Sequence, residues 1–407
     1  MSTTLGEHIT TQKGFAFKSK WYVTEGQPIV KVSDFTSDSI DPRNLICIPK
    51  ELAREYSKYQ LQQNDIIIQT VGSWPSNPAS VVGKTIRVPR STNGALLNQN
   101  AVKVIPNKTI DQTYLFYLLR NNDFKDYIVG TAQGAASQAS ITLDSIRSFK
   151  FDLPHLDKQR KIASILSTYD DLIENNNRRI AILEEMARRL YREWFVKFRF
   201  PGHEAIKMVD SELGKIPEGW EVVKLFDIAA PTYGFAFKSK LFTDDGNGIP
   251  VVRIRDIPKG LSNTFTQEHP KKEDQILQNG DLLIGMDGDF HMGKWSGGHA
   301  YLNQRVVKIT PFDNYSKYFV FLSFQKPILD LNKSIVGTTV AHLGDKHLKE
   351  IKIILPEEGS RKQAERLLDA LFDKEINLKL RNRNLQKQRN MLLPKLISGK
   401  INLLYGK

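Results

Sequence analysis

The sequence predicts an α+β protein: two sheet-rich α+β domains separated by a long antiparallel two-helix coiled coil, arranged as a pseudo-twofold repeat. Three observations predict it. The heptapeptide GFAFKSK stands at residues 14–20 and again at residues 234–240. The blocks around it recur in the same order. A heptad-spaced helical stretch then follows each copy.

A chain of 407 residues is too long for one ordinary core and predicts two or more domains. Its 40% hydrophobic and 25% charged residues are ordinary for a globular protein. No apolar run approaches the roughly 20 residues that cross a bilayer. The start, MSTTLGEHIT, lacks the basic-then-apolar layout of a signal peptide. The single cysteine, Cys47, excludes an internal disulfide and a cysteine-rich zinc site, so the expectation is a cytoplasmic protein. The net charge of +13, with a pI near 9.5, favours a polyanionic partner, nucleic acid before membrane. A basic protein that binds no polyanion is the competing reading of charge alone.

The first copy opens with GFAFKSK, a Gly/Pro turn and the alternating strand PIVKVSDF; the second has PVVRIRDI in that place. NDIIIQTVG then matches GDLLIGMDG, and ALLNQNAVKV matches AYLNQRVVKI. The aromatic-rich helical stretches QTYLFYLLRNN and SKYFVFLSFQK follow. Last come VGTAQGAASQASITLDSIRSFKFDLP and VGTTVAHLGDKHLKEIKIILP. Preserved order with small changes in spacing is the mark of a duplicated domain. Residues 66–68, 102–105, 282–284 and 306–309 are short β-branched or leucine-rich runs bounded by turn formers, hence strands. The loops at residues 73–80 and 287–298 are long for hairpins, and long ordered loops commonly carry function. Phe15, Phe17, Phe235 and Phe237 are assigned to the core.

After the first Leu-Pro, Ile162, Leu166, Tyr169, Ile173, Asn176, Ile180, Leu183, Ala187, Leu190 and Trp194 recur at alternating spacings of four and three. That is a heptad seam with one polar layer at Asn176. After the second, Ala364, Leu368, Leu371, Leu378, Leu385 and Leu392 continue the pattern, interrupted by Glu375, Asn382 and Arg389. Pro394 is expected to end the regular helix. Asp157 to Trp194 would measure about 57 Å at ~1.5 Å per residue. Packed antiparallel, the two helices would put a domain at either end of a rod; pairing between chains is the competing arrangement.

With GFAFKSK opening each domain, LNQ at residues 97–99 and 302–304, Leu-Pro before each helix and DKQRKIASIL in the first, the chain resembles the specificity (S) subunits of type I restriction–modification systems. The resemblance covers nearly the whole chain. It implies a target-recognition domain at residues 1–154 and a central helix at 155–200. A second recognition domain follows at 201–356, its linker at 201–211, and a distal helix with tail at 357–407. It further implies a non-catalytic DNA-binding subunit whose two domains each read one half of a bipartite double-stranded target. The coiled coil would set the spacer and dock two methyltransferase (M) subunits, directing adenine-N6 methylation. Restriction (R) subunits would add cleavage. S-adenosylmethionine, ATP and Mg2+ would sit on those partners, with no cofactor on this chain. A rod of about 57 Å corresponds to about 17 base pairs at ~3.4 Å each.

The residues themselves offer no competing chemistry. There is no GxxxxGK[ST] for ATP and no Asn-Pro-Pro-aromatic methyltransferase signature. Glu350-Ile351-Lys352, near Asp345, has the form of a nuclease metal-site tail, but it falls in a strand whose counterpart SFKF lacks those groups. Asp287, Asp289 and His291 read as a turn before a metal site. The DNA-contact candidates are basic, amide and aromatic residues in the loops: Lys18, Lys20, Lys31, Trp74, Lys84, Arg87, Gln133, Ser137 and Gln138 in the first copy. The second supplies Lys238, Lys240, Arg253, Arg255, His291, Lys294, Trp295, Thr338, Thr339 and His342. Lysines suit phosphates, glutamine suits adenine, arginine suits guanine, and tryptophan stacks on a displaced base. For each, a solvated or packing role is the competing reading. At the level of the chain, the alternatives are a stand-alone bipartite DNA-binding protein (or orphan specificity factor) and an enzyme with a site in MDGDFHMGK.

Overall fold

Residues 2–36, 39–74, 81–135, 138–335, 342–401 and 403 are described by a computed structural model. The chain divides into two compact units: Met1–Leu172 with Leu385–Lys407, and Ile173–Asn384. The division falls inside both long helices, so each unit combines a sheet domain with the helical segments packed on it.

In the first unit, Ile9–Lys13, Ala101–Pro106, Ile66–Gln69 and Thr85–Arg87 form an antiparallel sheet in that spatial order. The run Ile66-Ile67-Ile68 is buried on both faces, which explains why it reads as an unbroken apolar stretch. A smaller sheet holds Ile46–Ile48, Gln27–Val30 and Leu96–Leu97, the last pair parallel. Ser2–Thr4 pairs antiparallel with Lys150–Asp152, closing the domain immediately before Leu-Pro and the helix Leu156–Tyr191. Gln159 locks that helix start. Its amide donates to the Pro154 and Thr109 carbonyls at 2.8 and 3.3 Å and accepts from the Asp111 N–H at 2.8 Å. Ile162, Ala163 and Leu166 share a core cluster with Leu393 and Leu396 of the helix Glu358–Ile397.

The second unit repeats the topology. Ala229–Tyr233, Val306–Pro311, Leu282–Gly285 and Met292–Lys294 form the antiparallel sheet. Phe265–Thr266, Ile249–Val252, Ala300–Leu302 and Ile276–Leu277 form the smaller one, again with one parallel pair. Glu221–Lys224 with Lys352–Leu355 closes the domain. Here the helices run antiparallel: Asn176 donates to Asn382 Oδ1 at 2.8 Å, Asn382 donates to Asn177 Oδ1 at 2.8 Å, and Glu184 lies 3.5 Å from Lys379. An asparagine layer of this kind fixes register at some cost in stability.

Along the seam, Ile162, Leu166, Ile173, Asn176, Ala187, Ala364, Leu368 and Leu378 are buried. Tyr169, Ile180, Leu183, Leu190, Leu371, Leu385 and Leu392 are half-buried. Leu396, the next heptad position, is buried, and so are Phe372, Ile376 and Leu393 outside the heptad positions, because the distal helix presents a second apolar stripe to the sheet domains. One expectation is corrected. Pro394 lies inside the distal helix, which continues to Ile397; buried Leu393 and Leu396 anchor the turn on either side of it. Within the linker at 201–211, Met208–Ser211 pairs with Gly214–Pro217 as a hairpin.

Candidate nucleic-acid interface

The two repeated motifs explain each other. The Phe15 N–H donates to the Leu97 carbonyl at 2.9 Å, and the Phe235 N–H to the Leu302 carbonyl at 2.8 Å. GFAFKSK is therefore docked on LNQ in both copies. A Cβ on Gly14 would stand 2.1 Å from the Asn98 oxygen, and one on Gly234 would stand 2.0 Å from the Asn303 oxygen, so only glycine fits. Phe17 and Phe237 are buried beneath. The chain then turns outward through single 3-10 turns at Ser19–Trp21 and Ser239–Leu241, which expose Lys18, Lys20, Lys238 and Lys240. Lys18 Nζ sits 5.5 Å from the Trp21 ring. Among the described residues, none of these four ammonium groups has a carboxylate within ion-pair distance.

The other candidates divide by exposure. Arg255, Gln133, Gln138 and His342 are exposed, and His291 and Lys84 are half-buried. Lys31 is half-buried, its ammonium 5.9 Å from the Tyr22 ring. Trp74 donates its indole N–H to the Ala135 carbonyl at 2.9 Å and packs against the core. Ser137, Thr338, Thr339 and most of the 73–80 loop lie outside the described residues.

Two candidates, Trp295 and Lys294, turn inward and are corrected, and two more, Arg87 and Arg253, are half-buried with partners inside the protein. Trp295 is a core residue whose indole N–H donates to the Gly298 carbonyl at 2.7 Å. Lys294 is buried: Nζ lies 2.7 Å from Glu375 Oε2, 3.6 Å from Glu184 and 3.2 Å from the Tyr318 hydroxyl. Burial pushes its ammonium pKa down even though Glu375 opposes this. On Glu375, burial acts to raise the pKa, but Lys294 and Lys379 outweigh it and hold the carboxylate below its ordinary range. Arg87 packs on the Phe116 ring at 5.2 Å, with Asp170 at 3.9 Å. Asp170 also pairs with Arg389 and accepts from the Tyr117 hydroxyl at 2.6 Å. Arg253 folds back onto Asp256 at 3.4 Å and onto the Thr264 hydroxyl. The polar interruptions Glu375, Asn382 and Arg389 thus each pair with a side chain distant in sequence, which a heptad pattern alone does not reveal.

One exposed cation went unmarked in the sequence: Arg305, directly after the second LNQ, lies 3.2 Å from Asp287. The helical pair of the second unit also carries a surface groove of about 390 Å³, lined by Arg179, Ile182, Leu183, Lys374, Asn377, Leu378 and Arg381. Among the described residues no cluster of histidine, cysteine and carboxylate could hold a metal ion, and no helix is long and apolar enough to cross a membrane.

A sheet domain that occurs twice in the chain, each copy exposing lysines and followed by a long helix, is the architecture of a duplicated module. The family model for the type I restriction modification DNA specificity domain matches residues 2–185 and 217–386, and the chain belongs to that family. Among curated relatives it is 28% identical to the type I restriction enzyme MjaIX specificity subunit of Methanocaldococcus jannaschii, over 76% of this chain and 74% of that protein. It is 27% identical to the putative MjaX specificity subunit of the same organism, over 93% and 88%. The EcoBI specificity subunit of Escherichia coli is 32% identical over 44% of this chain and 37% of that one. The crystal structure of the S subunit from M. genitalium shares the fold, with a TM-score of 0.55 at 17% identity over 98% of this chain and 96% of that one.

Proposed function

We propose that this chain is the non-catalytic specificity subunit of a type I restriction–modification complex. Each recognition domain reads one half of a split double-stranded target. The helical regions set the spacer and dock two methyltransferase subunits. The assembly methylates adenine N6 and, joined by restriction subunits, cleaves DNA. S-adenosylmethionine, ATP and Mg2+ belong to those partners.

The observation that carries this reading is the pairing of an identical scaffold with unlike loops. GFAFKSK and LNQ interlock the same way in both units and expose lysines suited to phosphates, whereas the side chains around them differ. The groove of the second unit supports the docking role, since an apolar floor with a basic rim suits a protein surface carrying carboxylates. The test is methyl transfer from labelled S-adenosylmethionine to duplex DNA. Transfer only when this chain and a candidate methyltransferase subunit are both present is the expected result. Transfer or cleavage by this chain alone would refute the non-catalytic assignment, and failure to bind any methyltransferase subunit would favour a stand-alone DNA-binding protein.

A further inference from the structure

In the second unit, three segments meet at the end of the strand Leu282–Gly285. The Met286 N–H donates to the Arg305 carbonyl at 3.0 Å, and the Leu343 N–H donates to the Met286 carbonyl at 2.7 Å. Asp287 and His342 form an isolated antiparallel bridge. With the backbone fixed in this way, Asp287 Oδ1 lies 2.6 Å from His342 Nδ1, and Oδ2 lies 3.2 Å from Arg305 Nε. The carboxylate is 26% exposed, against 54% for Arg305 and 51% for His342, so the acid lies beneath and the two nitrogen-bearing side chains face solvent.

Stability does not account for this arrangement, because an ion pair this exposed contributes about 0–1 kcal/mol. What it does is orient. The ion pair is closest at Nε, and among the described residues the terminal Nη groups donate no hydrogen bond. A guanidinium with a carboxylate on its Nε side can present its terminal nitrogens as the donor fork that guanine N7 and O6 accept in the major groove. The first unit carries different chemistry at the corresponding place. Asn100 follows its LNQ, and Val71 pairs with Ser140 in a short ladder with no charged side chain. One scaffold with unlike groups at one position is what two half-sites of different sequence demand.

We propose that Arg305, oriented by Asp287 and flanked by His342, reads a guanine in the half-site recognised by the second domain; this rests on the reading of the chain as a DNA specificity subunit. The test selects randomised duplexes with the purified full-length chain and sequences what is retained. R305A removes the guanine preference at one position of one half-site, leaves the other letters and the gap unchanged, and weakens binding to the wild-type site by about 5- to 100-fold. R305Q shifts that position toward adenine, and it carries the same readout should R305A fold poorly. D287A partly relaxes the same position. An R305A profile with every preference intact, or one weakened equally on all sequences as loss of a phosphate contact would give, overturns the assignment and leaves the specificity reading standing. A wild-type chain that enriches no sequence overturns both.

Discussion

Replacing Gly14 by alanine tests whether GFAFKSK is scaffold. The added Cβ would stand 2.1 Å from the Asn98 oxygen and 2.7 Å from the Leu97 oxygen, where real Cβ atoms keep at least 3.0 Å. The two segments must therefore separate by about 1 Å, and two hydrogen bonds span the joint. These are Gly14 N–H to the Ala101 carbonyl at 3.0 Å and Phe15 N–H to the Leu97 carbonyl at 2.9 Å. Overpacking costs about 1–3 kcal/mol and each weakened bond about 1 kcal/mol, so G14A should destabilise the first unit by about 3–5 kcal/mol. Hydrogen–deuterium exchange on the intact chain measures this locally. Amides of Ile9–Lys13 and Ala101–Pro106 should exchange faster in G14A, while those of Ala229–Tyr233 and Val306–Pro311 stay at wild-type rates. G234A should give the mirror result. Unchanged exchange in the first unit of G14A would refute the claim that the two motifs are interlocked backbone to backbone.

Three further outcomes follow from the buried polar groups. E375Q should cost the second unit about 3 kcal/mol near neutral pH, because Lys294 stays buried with only the more distant Glu184 carboxylate to balance its charge. Glu375 titrates below its ordinary value of 4.5 in the folded chain. Its contribution is therefore present above that pH and lost as the pH falls through the folded value, so denaturation midpoints of wild type and E375Q should converge in acid. Q159A leaves the Asp111 N–H and the Pro154 carbonyl unpaired beside a fully buried site and should cost about 2–4 kcal/mol by urea denaturation, with loss of order at the start of the central helix. N382L alone should destabilise by about 1–3 kcal/mol, whereas N176L combined with N382L should recover or exceed wild-type stability while losing register, read as mixed species in light scattering.

The repeat, the order of its blocks and the seam residues were legible because each is a local signal: identical letters, alternation, or steps of three and four. Lys294 and Trp295 were not. They sit in a loop-like stretch rich in Gly, and only the ladder between Met292–Lys294 and Leu282–Gly285 decides that they turn inward. The acid that draws Lys294 in, Glu375, is 81 residues away on the distal helix. Arg87 looked like a basic loop residue for the same reason, its partner Asp170 lying on the central helix. Pro394 misled because proline costs one helical hydrogen bond, a local penalty that buried Leu393 and Leu396 outweigh. Arg305 beside the LNQ motif carries no local signal, because its partner Asp287 is 18 residues away and only the fold brings the two together.

The ladders between Ser2–Thr4 and Lys150–Asp152, and between Glu221–Lys224 and Lys352–Leu355, bring the entry and exit of each sheet domain side by side. Everything between them is a cassette with adjacent ends. Recombination at those two points would trade one reader for another while the stretches that follow Leu-Pro keep their sequence. A gene of this design could exchange one whole sheet domain by a crossover at each of those two joints, with no need to rebuild its surface residue by residue.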